Sequence, residues 1–139
     1  MEVVRSAFDE QVRDRVHHLQ ADSEDQTAAA FAGADIFLLP SLFEGTPLTL
    51  MEAMMSGLPI VTTDTCGMKD VIRDGQNGIL VPTRSPNAIV SAVDALLADP
   101  GLRERLGRAA REEALEHYTW DAVADPVLRV YERLGEPRR

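Results

Sequence analysis

Three short apolar runs, each followed by a stretch of helical character, constrain the fold of this chain most. They cover residues 35–39, 58–62 and 78–81. Unbroken apolar runs of this length, bounded by Pro, Gly or turn sequences, are typical of strands buried on both faces. Because segments of helix length separate them, the sequence predicts an α/β fold. We expect an open parallel sheet with right-handed crossovers, followed by C-terminal helices.

The predicted helices begin at residues that commonly cap or open a helix. Ser23, followed by an acidic turn, is expected to cap a helix that ends near Gly33. Thr46 as the cap and Pro47 as the first helical residue should open the next one. The pair at 85–86, Ser then Pro, repeats this signal before a third amphipathic helix.

The two ends of the chain give further predictions. Residues 8–16 are interpreted as a charged helix, and the run VHHL at 16–19 as a strand. Beyond Pro100 the apolar spacing indicates two helices, the second of which should kink at Pro126.

Composition excludes several classes of protein. Acidic residues outnumber Lys and Arg by 23 to 14, giving a net charge of −9, and no basic stretch alternates with aromatic residues. Nucleic acid is therefore not an expected partner. The single cysteine, Cys66, rules out an internal disulfide and fits a reducing cytoplasm. The sequence lacks an apolar run long enough for a membrane span or signal peptide, so we expect a cytoplasmic protein.

The most informative segment is LPSLFEGTPLTLMEAMMSGLP, residues 39–59. In an open α/β sheet, ligands bind beyond the carboxyl ends of the strands, where this loop should lie. The free N–H groups of Leu48 and Thr49 at a helix N-terminus would bind an anion. The carboxylates of Glu44 and Glu52 would accept hydrogen bonds from paired sugar hydroxyls. Together these groups suit a nucleotide-sugar, whereas two ordinary surface glutamates remain the simpler interpretation of the pair alone.

The same segment resembles a known family. Its pattern PS-x2-EG-x6-EAM-x2-G-x-P is similar to the donor-binding region of retaining GT-B glycosyltransferases of the glycosyltransferase-4, or group 1, type. The resemblance extends over about residues 16–134. It implies a Rossmann-like open parallel sheet in a single domain, 1–139, that is part of a GT-B C-terminal lobe. Its α/β part would be 16–98 and its C-terminal helices 100–134.

The resemblance implies roles for individual residues. Glu52 would bind the ribose of the donor, and Glu44, the candidate catalytic residue, would lie near the transferred sugar. The intervening residues would contact the diphosphate and sugar: Gly45, Thr46, Pro47, Leu48 and Thr49. The donor would be a nucleoside diphosphate sugar, bound as a substrate without a cofactor or metal ion. The expected activity is hexosyl transfer with retention.

Two departures from the family accompany this resemblance. Thr46 and Pro47 stand where many members have Phe-Gly, and Cys66-Gly67 stands where the family has Gly-Gly. The basic residues that neutralise the leaving diphosphate lie upstream in the family, and no residue here matches them. We therefore expect the isolated chain to be catalytically incomplete, requiring an acceptor lobe or partner chain in trans.

The resemblance also predicts an exposed sheet edge. In a sheet of order 3-2-1-4-5-6, the first two strands would be missing. The strand at 16–19 would then lack its normal neighbour, and the edge of the strand at 35–39 would be exposed. Either the N-terminal segment covers this edge or two copies pair there as a homodimer.

The alternative function is a non-catalytic nucleotide-binding or protein-interaction module. A two-carboxylate glycosidase is disfavoured because it has no use for a helix N-terminal anion site. The full-length enzyme would be cytoplasmic or peripheral to the membrane.

Overall fold

Three parallel strands form the sheet in the computed structural model, which describes residues 7–135. They are β1 (Phe37–Leu39), β2 (Ile60–Thr63) and β3 (Ile79–Val81), and their order in the sheet is β1-β2-β3. Phe37 pairs with Ile60, and Val61 with Ile79. The predicted parallel α/β fold is thus confirmed. Strand β2 begins later than predicted because the N–H of Leu58 still donates to Ala53 at the end of the preceding helix.

Six α-helices lie in the described residues. They are α1 (Glu24–Ala32), α2 (Leu48–Met55), α3 (Cys66–Val71), α4 (Pro86–Ala98), α5 (Pro100–His117) and α6 (Trp120–Gly135). The Ser23 hydroxyl accepts from the N–H of Gln26 at 3.3 Å, which confirms the predicted cap of α1. Asp99 caps α5 in the same way, accepting from the N–H of Leu102 at 2.9 Å. None of these helices combines the length and apolar character that crossing a bilayer requires.

The N-terminal predictions were wrong. Residues 8–16 contain only a 3-10 turn at Arg13–Arg15, and residues 16–19 form no strand. A strand needs a partner for its N–H and C=O groups. In the expected sheet order, residues 16–19 would pair with a strand that the described chain does not contain.

Two further elements differ from the predictions. Pro47 itself occupies the cap position of α2, no side chain caps that helix, and Thr46 lies before it, so the predicted Thr46 cap was wrong. Proline suits the first position of a helix, because the N–H that it lacks would have no acceptor within the helix there. In this chain, however, the extended ψ of 133° places Pro47 before the first turn. Helix α3 was not predicted, because six residues beginning with Cys66-Gly67 have the composition of a turn. Pro126 lies inside α6, as expected.

Two hydrophobic clusters form the core. One combines α2 and α3 with the C-terminal half of α5, and includes Leu50, Met54 and Ala110. The other joins β2 and β3 to α4, and includes Val61, Leu96 and Leu106. Helix α5 contributes to both clusters and therefore links the two halves of the core.

Strand β1 lies at the edge of the sheet. Its Leu38 side chain is 41 % exposed. Within residues 7–22 no segment pairs with β1, so the expectation that the N-terminus covers this edge fails for the described part of that segment. Pairing of two copies through the edge stays a prediction.

Candidate functional site

The loop 40–47 leaves the carboxyl end of β1 and is held from the neighbouring strand β2. The hydroxyl of Thr62 donates to the carbonyl of Leu39 at 2.9 Å, and the hydroxyl of Thr63 donates to the carbonyl of Ser41. The Ser41 hydroxyl in turn donates to a carboxylate oxygen of Glu44 at 3.2 Å. The candidate catalytic glutamate is therefore tied to the sheet through Ser41.

Helix α3 also contacts the loop 40–47. The N–H of Gly67 donates to the carbonyl of Glu44 at 3.3 Å. A Cβ atom on Gly67 would lie only 1.7 Å from the carbonyl oxygen of Gly45. Cys66 has a φ of 44°, a left-handed conformation that favours glycine. These contacts explain why glycine suits positions 66 and 67, where the family resemblance implies Gly-Gly.

The N-terminus of α2 presents free backbone donors next to this loop. Leu50 donates to the carbonyl of Pro47 at 3.0 Å, but the N–H groups of Leu48 and Thr49 have no acceptor among the described residues. The Leu48 side chain is 74 % exposed. These two N–H groups are thus available to an anion that approaches from solvent.

An open groove of about 1060 Å³ runs beside this helix N-terminus. Helices α1 and α2 line it, together with the segment that joins α5 to α6 and the start of α6. Thr46, Leu48 and Glu52 face it, whereas Glu44, Gly45, Pro47 and Thr49 do not line it. The structure therefore brings three of the seven predicted residues to one groove, and Glu44 lies half-buried beside them in the loop.

Several groove residues were not predicted from sequence. They are Ser23 and Glu24 at the start of α1, and Tyr118, Thr119 and Trp120 between α5 and α6. The only sequence signal for the latter group was the continuation of the family resemblance into EHYTW. Trp120 is the single tryptophan and is 86 % exposed, so its fluorescence can report on occupation of the groove.

The charges near the groove are mainly negative. Glu24 and Glu52 are carboxylates among the described lining residues, which include neither Lys nor Arg. Arg73 is paired with Glu113 on α5, and neither residue is among those that line the groove. Within residues 7–135 no group of three or more His, Cys, Asp or Glu side chains is arranged to hold a metal ion.

Tyr118, which lines the groove, is the one described group with a clear pKa shift. Burial raises the pKa of its hydroxyl above the ordinary value of 10.0. The charge of Glu113 raises this pKa further, Arg73 opposes it, and Asp70 adds a smaller increase. The neutral phenol is thus favoured in the folded chain.

We expect the alkaline titration of Tyr118 to follow from this shift. A proton held more tightly in the folded state gives stability that is present below pH 10.0 and lost as the pH rises through the higher folded pKa. Tyrosinate absorbance of Tyr131→Phe, which leaves Tyr118 as the only tyrosine, should show a midpoint above 10.0. Adding Arg73→Gln should raise the midpoint further, because the opposing charge is removed. A midpoint at or below 10.0 contradicts the burial of this hydroxyl.

Comparison with known proteins places the chain in a family. The family of glycosyl transferases group 1 matches residues 2–113. A phosphatidyl-myo-inositol mannosyltransferase of Mycobacterium leprae is 40 % identical over 109 residues, which are 78 % of this chain and 29 % of that protein.

Solved structures share the fold. Sucrose-phosphate synthase of Thermosynechococcus elongatus superposes with a TM-score of 0.85 and 27 % identity over 96 % of this chain and 33 % of that one. Anabaena HepE in complex with UDP-glucose gives 0.73 and 16 % identity over 78 % of this chain and 30 % of that one, a likeness of fold alone. The chain spans about a third or less of each of these proteins. From the family match, with the parallel sheet and C-terminal helices shared with GT-B enzymes, we conclude that this chain belongs to the group 1 glycosyltransferases.

Proposed function

We propose that this chain is the donor-binding lobe of a retaining hexosyltransferase and binds a nucleoside diphosphate sugar in the groove beside α2. One observation carries the proposal: Thr46, Leu48 and Glu52 face the same groove at a helix N-terminus whose first N–H groups are free. Glu52 would accept hydrogen bonds from the ribose hydroxyls. The N–H groups of Leu48 and Thr49 would bind the diphosphate, and Glu44 would lie near the transferred sugar.

The chemistry of the groove supports this class of ligand. A carboxylate accepts two hydrogen bonds at once, which matches the adjacent hydroxyls of a ribose. A helix N-terminus binds phosphate through backbone donors even in an acidic protein, because these donors act locally. The groove volume of about 1060 Å³ leaves room for a nucleotide with an attached sugar. The mannosyltransferase of M. leprae, 40 % identical to this chain, supports the transfer of a hexosyl group.

The isolated chain is proposed to bind the donor but not to transfer the sugar. The described lining of the groove has no cation to stabilise the charge that develops on the leaving diphosphate, and this electrostatic effect is usually the largest contribution to catalysis. Basic residues upstream of the described donor-binding segment would supply this cation, and an acceptor lobe or a partner chain in trans would bind the acceptor. The proposal involves no metal ion and places the chain in the cytoplasm, or at the membrane surface within a longer enzyme.

A second candidate is a non-catalytic nucleotide-binding or protein-interaction module. The same lack of cations in the described groove lining favours it, as do apolar side chains that remain exposed on α6. These are Trp120, Val123, Val127, Leu128, Val130, Tyr131 and Leu134. A nucleotide-binding module would bind a nucleotide as the first candidate does, whereas a protein-interaction module need not. Only the first candidate predicts that addition of an acceptor lobe yields sugar transfer.

Titration calorimetry with UDP, GDP, ADP and their hexose conjugates tests the binding proposal. We expect saturable binding of one nucleotide and its sugar conjugate, accompanied by a change in Trp120 fluorescence. Glu52→Gln should weaken this binding about tenfold to hundredfold, because a hydrogen bond to a charged group is lost. Glu112→Gln removes the same charge from an exposed position on α5 and should leave the affinity unchanged. Absence of binding to all six ligands would contradict the donor-lobe proposal.

Catalytic incompleteness has a separate test. The chain incubated with the donor that it binds, with or without simple sugar acceptors, should release no nucleoside diphosphate above the uncatalysed rate. A coupled assay for the released diphosphate measures this directly. Turnover by the chain alone would show that it needs no second lobe.

A further inference from the structure

Two buried threonines end strand β2 and bond to the chain that leaves β1. Thr62 is 0 % exposed and Thr63 is 1 % exposed. The regular pairing of β1 with β2 stops at Leu39 and Thr62, and Pro40 has no N–H with which to continue it. The Thr63 hydroxyl acts beyond this point, where it donates to the carbonyl of Ser41. A side chain therefore extends the contact between the strands into the candidate site.

Ser41 transmits this contact to Glu44. Its carbonyl accepts from Thr63, and its own hydroxyl donates to the Glu44 carboxylate at 3.2 Å. On the other side, the N–H of Gly67 fixes the carbonyl of Glu44 at 3.3 Å. The backbone and the side chain of Glu44 are thus held by two separate elements of the fold.

Packing alone does not explain a threonine at position 63. Valine has the same shape, suits a buried strand at least as well, and avoids burying a hydroxyl. A buried hydroxyl is tolerated when it has a hydrogen-bond partner. The partner of the Thr63 hydroxyl is the carbonyl of Ser41, which lies in the loop and not in a strand. The hydroxyl of Thr63 therefore serves to fix the position of the loop. Small displacements of groups that contact a ligand have large effects on binding and catalysis.

We propose that Thr63 is a positioning residue that orients the Glu44 carboxylate through Ser41 and so controls how the transferred sugar fits. This inference rests on the proposed function, in which Glu44 lies near that sugar. Thr62 has no such role, since its acceptor, Leu39, precedes the loop.

Three substitutions separate positioning from stability. Thr63→Val keeps the shape and removes the hydroxyl, Thr63→Ser keeps the hydroxyl, and Thr62→Val removes a hydroxyl of equal burial that does not reach Ser41. The readout is the ratio of the affinities for the nucleotide-sugar and for the free nucleotide, measured by calorimetry. Thr63→Val should lower this ratio about tenfold. Thr63→Ser should restore it, and Thr62→Val should leave it unchanged.

A double substitution shows whether Thr63 acts through Glu44. Glu44→Gln should itself lower the ratio, and adding Thr63→Val to it should lower the ratio no further. Independent losses that multiply would overturn the proposed route through Ser41. Equal weakening of nucleotide and nucleotide-sugar by Thr63→Val would also overturn it, because a merely structural role affects both ligands.

A measurement without ligand distinguishes this proposal from the proposed function. The side-chain carboxyl carbons of Glu44 and Glu52, assigned by NMR, report on their surroundings. Thr63→Val should shift the Glu44 signal and leave the Glu52 signal in place, and Thr62→Val should move neither. An unmoved Glu44 signal overturns the positioning role. Absence of nucleotide binding by the unaltered chain overturns the proposed function, whatever the NMR result.

Discussion

Gly67→Ala should weaken donor binding by this chain by well over tenfold and destabilise its fold. The added methyl would lie 1.7 Å from the carbonyl oxygen of Gly45 and 2.9 Å from the N atom of Thr46. Both obstacles are backbone atoms, so no side-chain rotation relieves the overlap. The loop must move away from α3, and the bond between the Gly67 N–H and Glu44 must break or lengthen.

The expected size of this effect follows from overpacking. Forcing a methyl into closely packed backbone costs about 1–3 kcal/mol or more, which exceeds the gain of about 1 kcal/mol from replacing glycine by alanine in a helix. Thermal or denaturant unfolding should show the net loss. Calorimetry below the unfolding transition should show nucleotide affinity reduced by well over tenfold, since the displaced loop carries Thr46 and leads into α2.

A matched control comes from the other side of the contact. A Cβ atom on Gly45 would meet no atom within 4 Å, so Gly45→Ala should leave the free energy of unfolding nearly unchanged. If Gly67→Ala proves as stable as the unaltered chain, the close approach of α3 to the loop is incorrect. If Gly45→Ala is equally harmful, the loop is constrained by something other than this overlap.

The order of strands and helices was largely predictable, because local signals determine it. The three apolar runs became β1, β2 and β3, and the Ser23 cap began α1 as predicted. Each of these signals lies within a few residues of the element that it controls. The strand predicted at residues 16–19 was wrong because a strand is not determined locally. It depends on a partner elsewhere in the sheet.

The candidate site was predictable only in part. Glu52 and the N-terminus of α2 follow from the order strand, loop, helix, which fixes the end of the sheet at which they lie. The approach of Tyr118 and Trp120 to the same groove depends on how α5 crosses the core, and no local pattern encodes that path. The positive φ of Cys66 could not be predicted from the sequence either, because cysteine has no preference for the left-handed region.

The support of Glu44 illustrates the same limit. The sequence places Ser41, Glu44 and Thr63 in separate segments, and only the parallel pairing of β1 with β2 brings them together. Glu44 was predicted from a motif, whereas the groups that orient it could be identified only from the fold. Residues that position a motif are therefore missed when the motif alone is considered.

Gly107→Ala should destabilise the chain although the substitution normally stabilises a helix. In the interior of an exposed helix, alanine is favoured over glycine by about 1 kcal/mol. Gly107 is buried in α5, and a Cβ atom there would lie 2.1 Å from the carbonyl oxygen of Gly57. Gly57 lies just after the end of α2 and has a φ of 73°, a left-handed conformation that favours glycine. Helices α5 and α2 thus meet backbone to backbone, and any side chain at 107 must separate them.

Separation of these helices would affect both halves of the core, because α5 contributes Leu106 to one cluster and Ala110 to the other. We expect the free energy of unfolding to fall by about 2 kcal/mol or more, which is a large share of the stability of a domain of this size. Urea denaturation measures it, and Glu112→Ala, at an exposed position of the same helix, provides the control for helix propensity and should change stability by less than about 0.5 kcal/mol. A stabilising Gly107→Ala would mean that α5 does not approach Gly57, and the packing that brings Tyr118 to the groove would then be incorrect as well.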